Sequence, residues 1–66
     1  MTLSQLLLKS NFDTQVHVRH EAVPFILYGT GSAEEVWNKL RREQNTILRK
    51  NVKYIDVKND TLIINM

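Results

Sequence analysis

The sequence predicts an α+β fold: one small domain over residues 1–66, in the order α-β-β-α-β-β. A mostly antiparallel four-stranded sheet would carry one main helix packed on it. Three observations lead there. The stretch TQVHVRH alternates polar and apolar residues, with Val16 and Val18 facing one way and Gln15, His17 and Arg19 the other. The stretch SAEEVWNKLRR places Ala33, Val36, Trp37 and Leu40 on one helical stripe. The stretch YIDVKNDTLIIN holds two alternating runs around Asn59-Asp60.

The chain opens on Thr2-Leu3-Ser4-Gln5, a capping box in which the threonine hydroxyl and the glutamine amide satisfy each other's backbone N–H groups. Leu3, Leu6, Leu7 and Ser10 follow at helical spacing, which predicts a short helix over about Leu3–Ser10 closed by Asn11 in a left-handed conformation; an edge strand is the alternative, since three consecutive leucines carry no period of their own. A tight turn near Glu21-Ala22 would set Val18 opposite Phe25 and Val16 opposite Leu27; neither turn residue suits the favoured hairpin types, so a longer loop is the alternative, and an even change in its length keeps the same faces matched. Pro24 has no N–H and belongs at a strand start or on an edge. Ser32 and Glu35 form a second capping box. Glu34 and Glu35 in the first turn, with Lys39, Arg41 and Arg42 later, suit the helix dipole. Gln44, Asn45 and Thr46 are weak helix formers, so the helix either stops near Glu43 with an irregular turn after it or extends its stripe through Ile47 and Leu48. In the last hairpin a two-residue turn pairs Val57 with Leu62 and Ile55 with Ile64 on one face. On the other face it pairs Lys58 with Thr61, Asp56 with Ile63 and Tyr54 with Asn65. The expected core is Leu7, Val16, Val18, Phe25, Leu27, Val36, Trp37, Leu40, Ile55, Val57, Leu62 and Ile64.

A chain of this size buries only ~60% of its unfolded surface, so good packing or self-association must support the core. With no cysteine, disulfides and thiolate metal sites are excluded. The hydrophobic fraction of 42% and charged fraction of 24% are those of an ordinary folded domain. Neither Leu6-Leu7-Leu8 nor Val23–Tyr28 approaches the ~20 apolar residues that span a bilayer. The start does not read as a signal peptide. These features lead us to expect a cytoplasmic protein with no membrane partner.

The second face of the sheet would carry Ile26, Tyr28, Tyr54 and Ile63 among His17, Gln15 and Asp56. That is more apolar surface than a solvated face normally shows. Either the first helix covers it, or a second copy or another protein does. The net charge is +2, yet the segment from Lys39 to Lys53 carries +5. Lys39, Arg41, Arg42, Arg49, Lys50 and Lys53 could neutralise nucleic-acid phosphates, or could form a solvated helix face and its continuation.

Other constellations point away from catalysis. Gly29-Thr30-Gly31-Ser32 could cradle a phosphate at a helix N-terminus, but Glu34 stands where the dinucleotide pattern needs glycine and would repel an anion. His17 and His20 fall on opposite faces of a strand and lack a third ligand. Ser4 and Ser32 sit in the two capping segments, and the aspartates Asp13, Asp56 and Asp60 are scattered. No catalytic residue, cofactor or metal ligand is assigned.

The two ends of the chain, MTLSQLLLKSNFDTQVHV and VKYIDVKNDTLIIN, resemble small uncharacterised proteins carried by phages and prophages of Gram-positive bacteria. Those proteins share a TLSELL-like start, a DT-V-V strand and a YIDVENDTLII-like end. The shared motifs are a cap, strands and a turn. The resemblance implies a bacterial cytoplasm and an accessory protein that works by binding. The function expected is therefore a non-enzymatic protein-interaction module, as a homodimer or with another protein. The alternative is a nucleic-acid binder that uses Lys39–Lys53.

Overall fold

The computed structural model describes every residue from Met1 to Met66. Its elements are α1 (Leu3–Lys9), β1 (Gln15–His20), β2 (Ile26–Ser32), α2 (Ala33–Glu43), a 3-10 turn (Ile47–Arg49), β3 (Tyr54–Lys58) and β4 (Thr61–Asn65). The four strands form one sheet in the order β2-β1-β4-β3. The sheet is mixed. Each hairpin is antiparallel, but β1 and β4 run parallel at its centre, with Val16 beside Leu62 and Val18 beside Ile64.

Both capping boxes form. Thr2 Oγ1 accepts from the Gln5 N–H at 3.2 Å and Gln5 Oε1 accepts from the Thr2 N–H at 2.9 Å. Ser32 Oγ accepts from the Glu35 N–H at 3.2 Å. The first helix ends differently from the expectation. Ser10 is extended, and its hydroxyl and N–H both donate to the Leu6 carbonyl, at 2.9 and 3.1 Å. That side-chain bond closes the helix without a left-handed Asn11. The second helix stops at Glu43, and the 3-10 turn then buries Ile47 and Leu48. The last hairpin has the expected register throughout, and Asn59 and Asp60 both take positive φ, 52° and 60°. This backbone matches the twist of the strands.

The first hairpin is the main correction. Val18 pairs with Gly29 and Val16 with Gly31, so the loop runs from Glu21 to Phe25. A bulge follows between Val18 and Arg19, and Leu27 lies opposite Arg19. Gly29 faces α2, where an added methyl group would meet Val36 Cγ1 at 3.4 Å, an ordinary van der Waals contact. GTGS is thus strand rather than turn. The register moves Phe25 off the sheet, and the bulge puts Leu27 on the opposite face from Val16.

Leu3, Leu7, Val16, Val18, Ala33, Val36, Leu40, Ile47, Leu48 and Ile64 make a single core. The buried sheet residues Val16, Val18 and Ile64 share one face, and α1 and α2 both pack on that side. Trp37 and Leu62 are half-buried at its margin. Four expected core residues lie outside it: Phe25, Leu27, Ile55 and Val57. Ile55 and Val57 do face the helix side, as their partners Ile64 and Leu62 do, but β3 is an edge strand beyond the reach of the helices.

Leu40→Ala is expected to cost about 2–5 kcal/mol, as deletions in closed cores do. Val57→Ala, at a position 67% exposed, is expected to cost under about 1 kcal/mol. Urea unfolding of the two variants measures both values. Equal losses would place β3 inside the core.

Candidate interaction surfaces

Neither helix covers the second face of the sheet. Cross-strand partners share a face, so this one carries Gln15, His17, Arg19, Leu27, Thr30, Tyr54, Asp56 and Ile63. Only Asn65 is buried there. Arg19 Nε donates to Asn65 Oδ1 at 2.8 Å, and an Arg19 terminal nitrogen donates to Glu21 Oε1 at 2.9 Å. The Tyr54 hydroxyl donates to Glu21 Oε2. This polar canopy spans β1, β4 and β3 and lies over Asn65, whose Nδ2 has no protein partner. Glu21 is the first residue of the β1–β2 loop, so the canopy fixes the base of that loop. The hydrogen bond to the Glu21 carboxylate, aided by its charge, holds the Tyr54 hydroxyl above the usual phenol range.

The four residues expected to form one apolar interface are divided. Tyr54 and Ile63 lie on the open face in neighbouring strands. Ile26 pairs with His20 and so turns to the helix side, 39% exposed. Tyr28 is the residue inserted by the bulge, and it packs against the core.

The larger apolar feature is one that alternation alone did not single out. From Ala22 to Ala33 no residue carries a charged side chain. Within that stretch Val23 is 98%, Phe25 57% and Leu27 49% exposed. These residues occupy the loop and the start of β2, an edge strand whose outer N–H and C=O groups have no neighbouring strand. The signal was legible as an uncharged run, but it reads equally well as core until the register is known.

The other edge is different. Every residue of β3 is exposed. In a two-residue hairpin the residues flanking the turn exchange both hydrogen bonds, so Lys58, Asp56 and Tyr54 bond to β4 while Ile55 and Val57 present their backbone outward. Asp56 Oδ1 accepts the outward Val57 N–H at 2.9 Å. Lys53, Asp56 and Lys58 also charge this edge. Such features discourage pairing with another strand.

All six basic residues of the Lys39–Lys53 segment are exposed, but they form two groups. Lys39, Arg41 and Arg42 line an open groove of α2 beside Thr30, together with Glu35 and Glu43. Arg49, Lys50 and Lys53 belong to the connection to β3. Its backbone is tied to the chain start and to β4, with Lys50 O accepting from the Leu3 N–H at 3.0 Å and Asn65 O from the Lys53 N–H at 2.8 Å.

The N-terminus of α2 is closed to an anion. The Ala33 N–H donates to Thr14 O at 2.8 Å and the Glu34 N–H to Phe12 O at 3.1 Å. The chain's own carbonyls thus take the donors that a phosphate would need. His17 and His20 point to opposite faces of β1, and His20 Nδ1 lies 3.2 Å from Met66 O.

No protein-family model, curated protein or solved structure matches the chain. No helix is long and apolar enough to cross a membrane.

In an ultraviolet titration Tyr54 is expected to ionise above the ordinary phenol value, and Glu21→Gln is expected to bring it back toward that value. Because the folded state favours the neutral phenol, this stabilisation is complete below about pH 10, the unfolded tyrosine value, and is lost as pH rises through the folded value. If Glu21→Gln leaves the Tyr54 titration unchanged, the Tyr54–Glu21 bond is absent in solution.

Proposed function

We propose that this protein is a non-enzymatic protein-interaction module. In this reading it is a small phage or prophage accessory protein of a bacterial cytoplasm, working by binding another protein chain, either a second copy or a different protein. One observation carries the reading: an uncharged apolar segment, Val23–Leu27, stands exposed on a sheet edge. Its base is pinned by the Arg19–Glu21–Tyr54 hydrogen bonds. Large exposed apolar residues in one continuous segment mark contact surfaces rather than ordinary solvated surface. A free strand edge adds backbone hydrogen bonds to that contact. The resemblance of both chain ends to phage proteins supports the setting. No constellation of nucleophile, base and orienting group offers a competing chemistry.

A second reading rests on Lys39, Arg41 and Arg42, which share one groove. Here the chain binds nucleic acid through phosphate contacts. Glu35 and Glu43 in the same groove and the separation of Arg49, Lys50 and Lys53 weaken it.

A photocrosslinking amino acid at Phe25, introduced in cells that make the protein, is expected to yield a protein adduct. The same group at Asn38, exposed on α2, is expected to yield none. Equal yields at both positions, or none at either, would remove the interaction surface. Nucleic-acid titrations are expected to show no binding at physiological salt. Tight binding there, lost on charge reversal at Arg41, Arg42 and Arg49, would favour the second reading.

A further inference from the structure

We infer that a second copy of this chain occupies the β2 edge, pairing antiparallel with it about a two-fold axis close to Leu27. The inference rests on the interaction reading above and names the partner. Two edges of the sheet are free, and their chemistry decides between them.

Pairing β3 with its own copy in the register that uses every outward backbone group would set Asp56 directly opposite its symmetry mate. Like charges directly opposite each other destabilise a strand pair. It would also require Asp56 to release the Val57 N–H that it now holds at 2.9 Å. The β2 edge has neither obstacle. Its residues from Ala22 to Ala33 carry no charged side chain, so no register of self-pairing sets like charges opposite each other.

The apolar groups are self-complementary as well. An axis near Leu27 places Leu27 opposite Leu27 of the second copy and Ile26 opposite Tyr28. Residues 39% and 49% exposed, Ile26 and Leu27, would then leave water together with Phe25. A partner of opposite charge has nothing on this segment to recognise. A partner of matching apolar strand chemistry does, and the chain itself supplies one. The two-fold arrangement is isologous and closes at two copies, because it uses up the β2 edge of each. The β3 edges would become the outer edges of an eight-stranded sheet. Their charges suit that position.

Sedimentation equilibrium over a wide concentration range tests this. The wild type is expected to show twice the 7.7 kDa chain mass, dissociating on dilution. Leu27→Lys places lysines across the axis and is expected to be monomeric, while Val57→Lys on the other edge is expected to remain dimeric. Circular dichroism checks that each variant is folded. Because the chain has no cysteine, a single introduced one reports its own neighbours. Leu27→Cys is expected to oxidise to a disulfide dimer, since opposite residues lie within the ~4.4–6.8 Å Cα range of a disulfide. Val57→Cys is expected not to. A wild type that stays monomeric at the highest concentration would overturn the inference. So would a dimer broken by Val57→Lys and not by Leu27→Lys. A monomer whose Phe25 position still crosslinks to a different protein would reject the second copy and leave the interaction reading standing. A monomer with no adduct would reject both.

Discussion

The parallel pairing of β1 with β4 is the contact on which the rest of the molecule depends. It joins Val16–Arg19 to Leu62–Asn65, segments from the two ends of the chain. Closing so long a loop costs entropy before any contact forms. The return is a central pair of strands whose inner residues, Val16, Val18 and Ile64, are completely buried under the helices. The strap from Lys50 to Val52 holds α1 over this centre, through bonds to Leu3 and Met1. On the opposite face the same pairing sets Arg19 beside Asn65 and brings Tyr54 within reach of Glu21. One backbone alignment therefore organises the core and the polar canopy together.

A sheet built outward from that centre has two edges, and one helical layer cannot cover both. α2 packs on the far half of β2, with Val36 over Gly29, which leaves the near half of β2 and all of β3 outside. The two exposed edges differ in kind. β3 carries Asp56 and Lys58 and has one outward N–H already taken. β2 begins in an uncharged loop and keeps its apolar side chains in water. A strand that must stay alone is normally charged or blunted; β3 is charged and has its outward N–H taken, whereas β2 carries no charge and is interrupted only by the bulge at Tyr28. The contrast gives the functional reading its direction.

Much of this was legible in the sequence because local rules sufficed. Thr2 with Gln5 and Ser32 with Glu35 specify helix starts through side-chain geometry alone. Asn59-Asp60 fixes the last hairpin because a two-residue turn leaves one register. The first hairpin failed because its loop has no such constraint. Its register places Gly29 opposite Val18 and under Val36 of α2, a tertiary arrangement that no local pattern encodes. The same misplacement assigned Phe25 and Leu27 to the core and Tyr28 to the open face. Ile55 and Val57 alternate correctly, but alternation gives the face of a strand and not its rank in the sheet. The Arg19–Glu21–Tyr54 canopy depends on the order β1-β4-β3, which no local pattern encodes. The basic segment was visible as composition, but its division between the α2 groove and the strap was not.

The central claim is that the uncharged start of β2, and not the charged β3, is the contact surface. Amide spectra of isotope-labelled protein, recorded across a dilution series, test it residue by residue. Concentration-dependent shifts are expected at Phe25, Ile26, Leu27 and Tyr28, with Tyr54–Lys58 unchanged. Spectra identical at every concentration would reject the second copy as the partner, and shifts confined to Tyr54–Lys58 would contradict the claim itself.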